Sequence, residues 1–125
     1  MTPRARPVFL NLLGIRLPVG ALTSIGHRVS GVVLSVSIPF WVYLWGLSMH
    51  DEQGFRRAHE LMAHVVSRVA LVLFIWALAH HVLAGIRHLL SDVNVGSTLR
   101  SARKSAYAAN LGGVAVALLA AWLLW

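Results

Sequence analysis

From Val69 to Ile86 the chain is apolar except for two adjacent histidines, His80 and His81. A hydrocarbon core of about 30 Å takes roughly 20 helical residues, so this run suits one helix crossing a bilayer. Inside such a helix an imidazole is costly unless a partner or a function offsets it. The run closes on Gly85-Ile86-Arg87-His88, a basic collar at one end. These features constrain the chain to an all-α integral membrane protein.

Composition agrees. The chain has 125 residues, which fits one domain. It is 58% hydrophobic and 12% charged, with a mean hydropathy of +0.71. Soluble domains carry about 25% charged residues. Three segments are long enough to span: about 24–48, 59–90 and 105–125. Pro39 lies inside the first, where a membrane bundle tolerates it as a bend. Residues 1–22 read as a cytoplasmic or interfacial segment. Arg4 and Arg6 before Val8-Phe9-Leu10 look like a signal peptide, but Asn11, Arg16 and Pro18 interrupt the apolar part. The expected fold is three transmembrane helices in a bundle with polar faces for partners to cover.

The 11 Lys and Arg against 4 Asp and Glu give a formal charge of +7. They stand at the ends of apolar runs, which suits anionic lipid headgroups and not nucleic acid. By the positive-inside rule the N-terminus and the second loop, 91–104, face the cytoplasm. The C-terminus then lies outside, with Trp41, Trp45, Trp122 and Trp125 near the outer interface. There are no cysteines, so iron–sulfur or thiolate–haem ligation within this chain is excluded. Any metal must use histidine or carboxylate. In the third span Ala109, Gly113, Ala117 and Ala121 recur every four residues. Such a stripe permits close helix packing, here expected against the chain's own helices and alternatively against a partner.

Two constellations carry chemistry. In Ser24-Ile25-Gly26-His27-Arg28-Val29-Ser30-Gly31, positions 24, 27, 28 and 31 fall on one helical face. A hydroxyl, an imidazole and a guanidinium there suit a quinone carbonyl or a carboxylate-bearing cofactor. The alternative is that Arg28 snorkels to the interface and His27 is a surface residue. In the second span His81 has Ala77, Ala84 and Gly85 on its own face. They leave the flat clearance that a porphyrin needs round an axial ligand. His80 is flanked by the bulkier Trp76 and Leu83. The alternative for His81 is a buried histidine bonded to a neighbouring helix.

Depth connects the two. His81 lies about 9 Å along the helix axis from Arg87, and Arg28 enters from the same side. His27 and Arg28 could then meet haem propionates while His81 meets the iron. His88 shares the His81 face and either touches a propionate or is solvated. Asp92 is expected to pair with an arginine, with a proton relay as the alternative. His50, His59 and His64 read as solvated or interfacial.

The first constellation, with Arg6-Pro7 before it, resembles a signature of the cytochrome b membrane-anchor subunits of succinate dehydrogenase. His81-Val82-Leu83-Ala84-Gly85-Ile86-Arg87-His88, followed by Asp92, resembles their second signature. The layout fits the larger of the two membrane anchors in such complexes. The resemblance implies a complex with a flavoprotein, an iron–sulfur subunit and a second anchor, in which electrons from succinate reach ubiquinone. It implies that Ser24 and Arg28 line the quinone site and that His27 contacts a haem propionate. It also implies that His81 is one axial ligand of haem b, the other coming from the second anchor. His80 departs from the aromatic or apolar residue expected before the ligand. Such a chain works in a bacterial cytoplasmic membrane and does not oxidise succinate alone. Two other classes compete with this reading: a haem-free structural anchor of a membrane-bound dehydrogenase or fumarate reductase, and a small transporter subunit. The apolar outer half of every span argues against a transport path.

Overall fold

A computed structural model describes residue 14 and residues 16–125. Arg4, Arg6-Pro7 and Val8-Phe9-Leu10 lie outside the described residues. The chain forms α1 (Val19–His50), α2 (Glu52–Ala63), α3 (Val65–Asp92) and α4 (Leu99–Leu124). Helices α1, α3 and α4 are long and apolar enough to cross a membrane.

Pro18 sets the start of α1. Its backbone is extended, and its carbonyl accepts from the amides of Ala21 and Leu22. The helix has 32 residues and runs through Pro39. At about 1.5 Å per residue it is roughly 48 Å long, so it overhangs a hydrocarbon core.

The connection to the next span differs from expectation. Most of the stretch between the first two expected spans, together with the first residues of the span expected from His59, forms the separate helix α2. Asp51 caps it, its Oδ1 accepting from the Gly54 amide at 2.6 Å. That amide, and secondarily the His50 imidazole, hold the Asp51 carboxyl below the ordinary carboxylate range. Gly54 is buried because it abuts the Leu47 carbonyl at the end of α1. Ala58 is buried beside it, while Arg56, Arg57 and Glu60 are exposed. The chain breaks at His64, whose Nδ1 accepts from the Val66 amide at 3.3 Å. The spanning helix therefore begins at Val65.

Between α3 and α4, Asn94 (φ 61°) and Gly96 (φ 70°) take left-handed backbone, which suits those residue types. Thr98 then caps α4 through Ser101. The helix starts at Leu99 and not near 105, so Arg100, Arg103 and Lys104 ride its first turns. Arginine and lysine are good helix formers, which explains the early start.

The bundle is packed through small residues. Ala77, Ala84 and Ala106 are fully buried, and Ala109 and Gly113 nearly so. Large apolar side chains such as Val36, Leu111, Leu118 and Trp122 face outward. This is the arrangement of helices solvated by lipid, where close backbone approach replaces a bulky core. The stripe through Ala109 and Gly113 packs on α3 of the same chain: a Cβ on Gly113 would lie 3.0 Å from that of His80. At one end Arg68 Nη1 donates to the Leu124 carbonyl at 3.0 Å, tying α3 to the last turn of α4. At the other, Arg87 of α3 packs against Gly20 of α1.

Candidate functional site

The seam between α1 and α3 is made of histidine, serine and glycine. The His27 ring stacks on the His81 ring, 4.0 Å between centroids and 14° from parallel. Gly85 makes room for it, since a Cβ there would lie 3.4 Å from His27 Nε2. Gly31 does the same for His81, with 3.1 Å to Cε1. His88 completes the cluster, its ring 5.3 Å from that of His27.

Hydrogen bonds fix the chemistry of His81. Its Nδ1–H donates to the His27 carbonyl at 3.1 Å and approaches Ser30 Oγ at 3.2 Å. Ser30 donates its own proton to the same carbonyl at 2.8 Å. A carbonyl only accepts, so Nδ1 carries the hydrogen, and in the neutral ring Nε2 keeps its lone pair. Among the described residues Nε2 makes no hydrogen bond, and His81 is half-buried at the rim of the bundle.

His80 points the other way and is 4% exposed. Its Nε2–H donates to Asn110 Oδ1 of α4 at 3.1 Å, and its Nδ1 is buried without a partner among the described residues. A Cβ on Gly26 of α1 would lie 2.7 Å from His80 Cε1. Trp76, one turn back, lies 5.7 Å from it ring to ring.

Ser24 is half-buried and Arg28, one turn later, is exposed. Neither side chain makes a hydrogen bond among the described residues. The face α1 turns into the bundle is Thr23, Gly26, His27 and Ser30, offset by one position from the expected 24, 27, 28, 31. Thr23 and Ser30 are fully buried. Thr23 Oγ1 donates to the Val19 carbonyl at 2.9 Å and also approaches Ala106 O of α4. These two residues and Asn110 were missed by sequence reasoning. Asp92 is exposed and makes no ion pair among the described residues, contrary to expectation. His50 pairs with Asp51, and His59 and His64 are exposed. Among the described residues no three His, Cys, Asp or Glu side chains converge to hold a metal ion.

Residues 2–121 match the family of succinate dehydrogenase/fumarate reductase transmembrane subunits. The chain belongs to that family. It is similar to a succinate dehydrogenase cytochrome b556 subunit of Coxiella burnetii, 33% identical over 94% of this chain and 96% of the relative. The subunit of that name from Paracoccus denitrificans is 32% identical over 91% and 88%. That of Rickettsia typhi is 28% identical over 96% and 90%. As a member of this transmembrane subunit family the chain is a membrane anchor of succinate dehydrogenase. The expected family and the expected all-helical membrane fold are both borne out.

Proposed function

We propose that this anchor supplies one axial ligand of a haem b through His81 and lines a ubiquinone-reducing site with Ser24 and Arg28. The observation that carries the haem reading is the contact of His81 Nδ1 with the His27 carbonyl, which assigns the hydrogen to Nδ1. A metal-ligating histidine commonly gives one ring N–H to a carbonyl and offers the other nitrogen to the metal. His81 meets that requirement with the His27 carbonyl, and among the described residues nothing engages its Nε2 in this half-buried ring. His80 does not, because its Nε2 is spent on Asn110 and its Nδ1 is enclosed. One ligand from this chain leaves the second to the other anchor subunit. A haem held there would supply one-electron storage.

The remaining residues act by charge and hydrogen bonding. His27 and His88 stand beside His81, and Arg28 follows His27 on α1, so basic groups are available to haem propionates on one side. Ser24 donates its hydroxyl proton to a quinone carbonyl. Arg28 stabilises the negative charge that grows on quinone oxygen as electrons arrive from the iron–sulfur subunit. Protons enter from the cytoplasmic side, where the N-terminus and the α3–α4 loop lie in a bacterial inner membrane. The succinate chemistry belongs to the flavoprotein subunit.

The test is a redox difference spectrum of the purified complex. Wild type should show a b-type haem, and His81→Ala should lose it. Arg28→Ala should lower quinone reduction by about 10²–10³ at equal flavin content. A His81→Ala complex with an unaltered haem spectrum, or an Arg28→Ala complex at the wild-type rate, would reject the corresponding assignment.

A further inference from the structure

We propose that His80 is a positioning residue that sets the rotation of α3, and through it the direction in which His81 offers its Nε2; the inference rests on the haem reading above. Consecutive residues of an α-helix point about 100° apart. His80 and His81 therefore cannot turn independently of one another: whatever fixes the first about the helix axis fixes the second.

His80 is fixed from three sides. Asn110 of α4 accepts its Nε2 proton at 3.1 Å. On the α1 side stands Gly26, where even a Cβ would come within 2.7 Å of the ring. On the α4 side stands Gly113, where a Cβ would come within 3.0 Å of the His80 Cβ. The ring thus abuts bare backbone at Gly26, and the His80 Cβ and main chain abut bare backbone at Gly113. Turning α3 one way drives the ring toward Gly26, and turning it the other drives the Cβ toward Gly113. Either turn breaks the bond to Asn110, in surroundings where water does not replace it.

The same turn would slide His81 off His27. Among the described residues the His81 ring is held along one face by His27 and at Nδ1, and Gly31 faces its Cε1. Rotation of α3 would carry the ring out of these contacts. The clamp on His80 opposes that rotation. A buried imidazole needs a partner for its N–H, and because Asn110 of α4 is that partner the bond also ties the rotation of α3 to α4.

The experiment uses the purified complex, with assembly followed by flavin content. Its readouts are the low-spin EPR signal of the ferric haem and carbon monoxide binding by the ferrous haem, which needs a displaced axial ligand. Asn110→Ala and His80→Leu should retain haem but shift the largest g-value and create a fraction that binds carbon monoxide. His80→Gln keeps an N–H that can reach Asn110 and should return the wild-type signal. Gly113→Ala leaves both polar groups intact and presses on His80 from α4, so it should shift the signal in the same way; it decides the matter if His80→Leu does not assemble. Wild-type g-values with no carbon monoxide binding in both Asn110→Ala and Gly113→Ala would overturn the positioning role alone. An unaltered haem spectrum in His81→Ala would instead remove the haem reading, and this inference with it.

Discussion

His27 holds His81 twice: its ring lies 4.0 Å from the His81 ring, and its carbonyl takes the Nδ1 proton of the same imidazole at 3.1 Å. Face and edge of one side chain are thus set by a single residue of α1. Gly85 and Gly31 are small because the two rings occupy the space that their side chains would need.

Ser30 reinforces this contact and is fully buried. It donates to the His27 carbonyl and lies within reach of His81 Nδ1. Ser30→Ala leaves the backbone acceptor in place, so the tautomer persists and one partner is lost. Loss of such a supporting partner costs about 10–100-fold in metal affinity, and here the lower end is expected. Haem per flavin after repeated detergent exchange should fall roughly tenfold faster than in wild type. Equal retention would show that Ser30 serves the helix alone.

Two glycines of α1 make a matched pair. A Cβ on Gly26 meets His80 Cε1 at 2.7 Å, whereas one on Gly46 meets nothing within 4 Å among the described residues. Gly26→Ala must displace either α1 or the hydrogen-bonded His80 ring, with an overpacking cost of about 1–3 kcal/mol. Gly46→Ala removes a flexible residue from a helix interior and should be neutral or stabilising by up to about 1 kcal/mol. Thermal denaturation of the solubilised complex should separate the two in sign. A Gly26→Ala complex as stable as wild type would mean that His80 moves aside freely.

The sequence made the three spans and the paired signatures legible, because apolar length and motif spacing are local properties. The inward face of α1 was not. A period of 3.6 residues fits 23, 26, 27, 30 as well as 24, 27, 28, 31, and Thr23 and Ser30 look like surface residues on type alone. Their hydroxyls are satisfied by the carbonyls of Val19 and His27 in their own helix, which makes burial tolerable in apolar surroundings. The break at His64 carries neither proline nor glycine, so periodicity alone merges α2 with the following span. Asp51 was the available signal, an acidic N-cap three residues before Gly54. Asn110 stood beside the small-residue stripe as its one amide, and only the position of His80 shows what it meets.

Asp51 lies outside the spans and gives a pH signature. The Gly54 amide, then His50, lower its carboxyl below the ordinary range. The charged form is the one favoured in the folded protein. Its support for α2 is therefore complete above the unfolded aspartate value of about 3.9 and fades as pH falls through the lowered folded value. Exchange of the Gly54 amide should stay slow through the ordinary carboxylate range and quicken only below it. Asp51→Asn retains an acceptor oxygen and should make that protection independent of pH. The same acid-induced quickening in Asp51→Asn would assign the effect to another group.

Arg68 stands at the other end of α3 from Arg87, thirteen positions before His81, or about 20 Å along the helix. Its Nη1 donates to the Leu124 carbonyl at 3.0 Å, one of the carbonyls that the last turn of α4 leaves without an intrahelical partner. A cation there also meets the negative end of the helix dipole, an effect worth about 0.3–1 kcal/mol in the last turn. Arg68→Ala should therefore fray the end of α4, quickening exchange of the Trp125 amide, which donates to Ala121 O. Arg68→Lys keeps the charge and should recover part of the protection. Neither variant should alter the haem spectrum, because the histidine seam lies in the opposite half of α3. Unchanged exchange at Trp125 in Arg68→Ala would mean that the dipole and backbone bonds suffice to close the helix without the arginine.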